Sequence, residues 1–135
     1  MTVITRKKLI EVALPLMAIN AGCEEDKNRK TGHIRNLHKW FAPMPLPAWR
    51  AMLFASLVDD PAERPEVVDP EAERQRLFRL IERLSAFDSY RDEKLLHECR
   101  EEILRATDGM PPTVVDPFCG GGSTLLEAQR LGLPP

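Results

Sequence analysis

The chain is short of the residues that most often carry specialised chemistry or staple small domains. Its three cysteines, Cys23, Cys99 and Cys119, are an odd number at wide spacing with no C-x-x-C pair. Neither a disulfide framework nor a self-contained zinc site is expected, and no metal ligand set is assigned. There is no excess of positive charge: 19 Lys and Arg stand against 21 Asp and Glu, a net charge of −2. That excludes a bulk polycation gripping nucleic acid non-specifically. Long hydrophobic runs are also missing. The longest, residues 12–19, contains Pro15 and is far too short to span a bilayer. The basic residues 1–10 lead into neither an apolar signal core nor a small-residue cleavage site. A cytoplasmic protein with no membrane contact is the expectation.

What the chain does have is the composition of a globular protein, 43% hydrophobic and 30% charged, with 12 prolines among 135 residues. Its charge is uneven. Residues 1–50 hold nine Lys and Arg against four Asp and Glu, whereas residues 51–135 are net acidic. A polyanionic partner would therefore meet the N-terminal third.

Periodicity organises most of the chain into helices. Residues 7–21 read as a first helix through Leu9, Ile10, Ala13, Leu16 and Met17, which Pro15 should kink or split. Residues 22–32, polar and bounded by Gly22 and Gly32, read as an exposed loop. A basic and aromatic stretch follows, and then the proline-studded residues 41–47, which favour an extended, stiff segment. Pro47 suits the first position of a helix over 48–58, with Trp49, Met52, Leu53, Ser56 and Leu57 near one face. Residues 59–70 form a linker ending in a helix start, Asp69-Pro70. The helix beyond it places Leu77, Leu80, Ile81, Leu84 and Phe87 on one stripe. A partner helix near Ser89 and Asp92 turns Leu95, Leu96, Cys99, Ile103 and Leu104 inward. The two helices are expected to form an antiparallel hairpin that serves as packing or spacer.

The last segment changes period. Thr113-Val114-Val115-Asp116 is a β-branched run, a glycine triplet follows, and an amphipathic helix over 124–131 ends at Gly132. Strand, glycine loop and helix in that order predict the opening unit of an α/β sheet. Such a loop lets the backbone pass close to a ligand, and the helix start behind it favours an anionic group. A triphosphate loop needs Lys before the Ser, and Gly122 stands there. A dinucleotide fingerprint needs a third glycine where Leu125 stands. Asp116 at the strand end suits a ligand carrying an ammonium as well as a carboxylate, as the methionine end of S-adenosylmethionine does.

Asp116-Pro117-Phe118-Cys119-Gly120-Gly121-Gly122-Ser123 resembles motif I of amino-group DNA methyltransferases, D-P-F-x-G-x-G followed by Ser or Thr, and matches it throughout. Some RNA guanine-N2 methyltransferases use nearly the same loop. The resemblance extends upstream through residues 8–16, Ala18-Ile19-Asn20, Leu37-His38-Lys39-Trp40 and residues 51–57. These stretches resemble the N-terminal domain of unknown function found on adenine-specific DNA methylases that carry a zinc ribbon further on.

That resemblance implies an α/β fragment: a mostly helical N-terminal module, then the first βα unit of a Rossmann-like methyltransferase sheet. The divisions would be a motif X-like helical segment over 1–58, a helical hairpin insert over 59–110, and a truncated cofactor-binding unit over 111–135. It implies S-adenosylmethionine as cofactor. Asp116, Phe118, Gly120 and Gly122 would lie at its methionine end, with His38 and Trp40 assisting. It implies methylation of a DNA base amino group, adenine N6 first, with DNA met through the longer protein and room for a restriction or defence-system partner.

Two departures stand out. Pro43 and Met44 occupy the places of two arginines in the family's H-x-W-W-A-R-R-P-L. The Asp/Asn-Pro-Pro-aromatic tetrapeptide that holds a flipped base does not occur. Methyl transfer by these residues alone is not expected, and no catalytic residue is assigned. A non-catalytic interaction module and an RNA methyltransferase fragment stand as alternatives. Some residue roles stay open at this level: Asp116 between cofactor contact and capping the turn, Phe118 between core and cofactor wall. The cluster His33, Arg35, His38, Lys39, Trp40 and Arg50 stays open between nucleic-acid contact and a solvated face.

Overall fold

The computed structural model describes residues 6–29, 31–32, 37 and 44–134. Within them lie the α-helices α1 (Leu9–Val12), α2 (Leu16–Asn28), α3 (Leu46–Leu57), α4 (Pro70–Ser85), α5 (Glu93–Ala106) and α6 (Ser123–Arg130). Short 3-10 turns fall at Pro61–Glu63 and Phe87–Arg91. One apolar cluster draws on all six helices, from Leu9 through Phe54, Leu77 and Cys99 to Leu131.

Pro15 splits the first helical stretch, as its missing N–H and fixed φ require, and stands at the N-cap of α2. The second piece then runs on to Asn28, where a loop was expected. Gly22 explains the difference: a Cβ there would lie 1.9 Å from the Ser85 carbonyl oxygen. This glycine marks the place where α2 crosses the end of α4, a position whose usual helix penalty is outweighed by close approach.

Residues just before α1 are strapped to the end of α3. The Leu9 N–H donates to Val58 O at 2.9 Å and the Asp60 N–H to Lys7 O at 2.9 Å. Lys8 Nζ reaches Asp59 Oδ1 at 2.6 Å and Leu57 O at 3.0 Å. In the linker, the Asp60 carboxylate takes Arg74 Nε at 3.0 Å and Nη2 at 2.9 Å, tying residues 59–63 to α4.

The hairpin forms as its sequence predicts. Asp69 and Asp92 cap α4 and α5, accepting from the Ala72 and Leu95 N–H groups. Arg76 pairs with Glu102 and Arg83 with Glu98, so rising numbers on α4 meet falling ones on α5 and the helices run antiparallel. Leu77, Leu80, Ile81, Leu84, Leu95 and Ile103 are buried between and beneath them. The buried face of α3 is not the expected one. It carries Leu46, Pro47, Arg50, Ala51, Phe54 and Ala55, while Met52 and Ser56 are exposed.

The expected α/β fold is overturned. Among the described residues there is no β-strand and no sheet, and the one bridge joins Lys8 to Asp59. Residues 113–116 have the β-branched composition of a strand, but composition does not supply a ladder partner. The Val114 N–H donates to Pro134 O at 3.1 Å, with Thr113 and Val115 exposed on either side. A Rossmann-like βα unit is therefore not formed, and the described residues are a helical assembly.

Candidate functional site

The 116–123 loop leads from the irregular segment into α6. Asp116 is half-buried, and its Oδ1 accepts from the Phe118 N–H at 3.1 Å, which folds the entry of the loop back on itself. Gly120 and Gly122 take φ of 52° and 78°, the left-handed region that glycine enters without strain. The Gly122 N–H donates to Cys119 O at 2.8 Å and closes the turn. Nothing lies within 4 Å of where a Gly122 side chain would begin, so that position faces open space.

Behind the loop, α6 starts at Ser123 with no side chain capping it. The leading N–H groups of a helix have no intrahelical partner and carry the positive end of its dipole. A half-buried carboxylate at one end of the loop and uncapped amides at the other form a donor set of both signs. That pairing suits a zwitterionic α-amino acid head group, and the residues present fit the methionine end of S-adenosylmethionine in this respect. Phe118 is 93% exposed and is not part of the buried core.

The loop is docked on α3. The Ser123 hydroxyl donates to Met44 O at 3.4 Å, just ahead of that helix. One turn further along α6, Glu127 Oε2 lies 3.5 Å from Arg50 Nε, with side-chain exposures of 0% and 1%. Arg130 closes the other side of Glu127 by a short charge-assisted bond to Oε1, and its guanidinium lies 4.5 Å from the Tyr90 ring centroid. Burial pushes the Glu127 carboxyl up, against the opposing pull of Arg50 and Arg130. Burial also lowers Arg50, while Glu127 raises it. An arginine starts so high that Arg50 remains a cation at neutral pH.

The sequence placed Arg50 in a basic and aromatic surface cluster. The structure places it in the interior, so it offers nothing to a nucleic acid. A signal was available: Arg50 is the one charged residue in the α3 sequence LPAWRAMLFASL, and a lone charge on a packed apolar helix needs a partner. His38 and Trp40, assigned to assist at the cofactor, lie outside the described residues, as do His33, Arg35 and Lys39. Of the thiols, Cys119 is exposed on the loop, while burial pushes the Cys99 thiol up to about 12 and leaves it inert.

The comparisons bear on α2 to α4 rather than on the loop. Residues 13–80 match the family described as protein of unknown function (DUF1156), a stretch that ends well before Asp116. No curated protein and no solved structure matches the chain. No described helix is long and apolar enough to cross a membrane.

Proposed function

The chain belongs to the DUF1156 family of proteins of unknown function, and from its 116–123 loop we propose that it forms the cofactor-side part of an S-adenosylmethionine-dependent DNA methyltransferase. The target is a base amino group, adenine N6 first. The observation that carries this reading is the 116–123 loop: a motif I sequence that opens on an acidic side chain and whose glycines adopt the left-handed turn and lead into an uncapped helix start. The Asp116 carboxylate would receive the ammonium of the methionine end. The first amides of α6 would receive its carboxylate, and Gly120 and Gly122 would let the backbone approach closely. When bound, the cofactor supplies a methyl group already activated on sulfonium, so the work left to protein groups is positioning. Base capture needs an acceptor-and-aromatic loop that these 135 residues do not contain.

The test is titration of the chain with S-adenosylmethionine by calorimetry, with sinefungin as competitor. Saturable binding at one site is expected, weakened at least tenfold by Asp116→Ala and absent for adenosine triphosphate. Binding that Asp116→Ala leaves unchanged overturns the site assignment. Failure of the chain to bind, with its helical circular dichroism intact, favours the non-catalytic interaction module instead.

A further inference from the structure

The pair Arg50 and Glu127 is poorly rewarded for being buried. The 3.5 Å separation is an ion contact, not a hydrogen bond, and Arg50 Nε, Arg50 Nη1 and Glu127 Oε2 have no hydrogen-bond partner among the described residues. Desolvating two charges costs more than such a contact returns. Apolar side chains of similar volume often hold two helices together equally well. What apolar side chains do less well is select one register, because a Leu or Met packs acceptably after a small slide, whereas a buried charge is tolerated only opposite its partner.

Register matters for α6 more than for the other long helices. It has eight residues, too few to be stable alone, and it follows a glycine loop that imposes little direction. Residues 113–116 reach it without a ladder to anchor them. Its far end is closed by a Schellman turn, with the Leu133 N–H donating to Ala128 O at 2.9 Å, and Gly132 lies close against the Arg100 side chain. Toward the loop, the 3.4 Å contact of Ser123 with Met44 is weak. Glu127 stands one turn beyond Ser123, so whatever fixes its height fixes the first turn.

We infer that Arg50 is a positioning residue for the 116–123 loop: paired with Glu127 in the interior, it sets the register of α6 on α3 and thereby the placement of the first α6 amides. The ligand of those amides rests on the methyltransferase reading; the register does not. The groups around the pair are Asp26 of α2, Tyr90 of the 87–91 turn and Arg130 of α6 itself.

The experiment replaces the pair by apolar residues, Arg50→Met together with Glu127→Leu, and reads amide hydrogen exchange by nuclear magnetic resonance in the parent and the variant. The Leu126 N–H, which donates to Gly122 O at 2.9 Å, reports the first turn of α6; the Leu80 and Ile81 amides report α4. The expected result is at least tenfold faster exchange at Leu126 relative to the α4 amides, with S-adenosylmethionine affinity reduced at least tenfold. Equal change at α6 and α4, or none at either, makes the pair structural only and overturns the inference. If the double variant does not fold, Glu127→Gln keeps the side-chain shape, and the same Leu126 comparison decides. If the parent does not bind S-adenosylmethionine, the methyltransferase reading fails by itself, while the exchange comparison still decides the register.

Discussion

Gly22 and Ser85 touch backbone to side-chain position: a Cβ on Gly22 would stand 1.9 Å from the Ser85 carbonyl oxygen. Ser85 cannot retreat, because its hydroxyl donates to Ile81 O at 2.7 Å and its residue is fully buried. Gly22→Ala should therefore force α2 off α4 and cost about 3 kcal/mol, the upper range for overpacking a core. Gly109 provides the contrast. It has φ +77° but open space around it, so Gly109→Ala should cost only about 1 kcal/mol, the penalty for a side chain in the left-handed region. Urea denaturation of both variants checks the difference.

Asp60 and Arg74 give the fold an acid-sensitive point. The hydrogen bonds from Arg74 hold the buried Asp60 carboxyl below its usual value. A depressed carboxylate contributes stability that is present above its unfolded pKa of about 4 and is lost as pH falls through the lower folded value. Stability should accordingly drop below about pH 4, the ordinary carboxylate range. Asp60→Asn should be less stable than the parent at neutral pH and should flatten that acid limb. Thermal melts from pH 2 to 7 would show it, and an unchanged limb counts against Asp60 as its origin.

Glu127 has the opposite sign. Burial raises its pKa, so its contribution is complete below the unfolded value and diminishes as pH rises through the folded one. Arg50→Met removes the buried cation facing Glu127 Oε2 and leaves the Glu127 charge compensated from the Arg130 side alone. The variant should lose about 3 kcal/mol at pH 7, as broken buried pairs do. The loss should shrink as the pH is lowered and Glu127 takes up a proton. Chemical denaturation at pH 5 and pH 7 measures the difference; equal losses at both would assign the effect to packing of the arginine stem.

The hairpin caps make a smaller and cleaner prediction. Asp69→Ala and Asp92→Ala each remove a carboxylate that accepts one helix-start N–H, at 3.0 Å in both cases. Each should cost about 1 kcal/mol. The two sites share no partner, so the double variant should cost the sum of the two.

How much was legible follows from where the determining partner lies. Asp69-Pro70 and the stripe from Leu77 to Leu84 are local signals, and α4 and α5 form where those residues say. Gly22 is different. Inside a polar run it reads as a loop boundary, because nothing nearby in sequence reveals that Ser85 will press against it. Arg50 beside Trp49 reads as surface for the same reason, its partner being 77 positions away at Glu127. Val114 and Val115 have strand propensity, yet propensity alone cannot make a ladder. The glycine turn at 120–122 is legible in the sequence, since positive φ is open to glycine by its own nature.

The strap between residues 7–9 and residues 58–60 sets an order of events. Leu9 is fully buried, and the backbone that receives its N–H belongs to Val58. A ribosome delivers the first partner some fifty residues before the second. During that interval Leu9 is an apolar side chain without a seat, and closing a loop of this length carries an entropic cost that local helices do not. Residues 7–9 thus wait for residues 58–60 before they can dock.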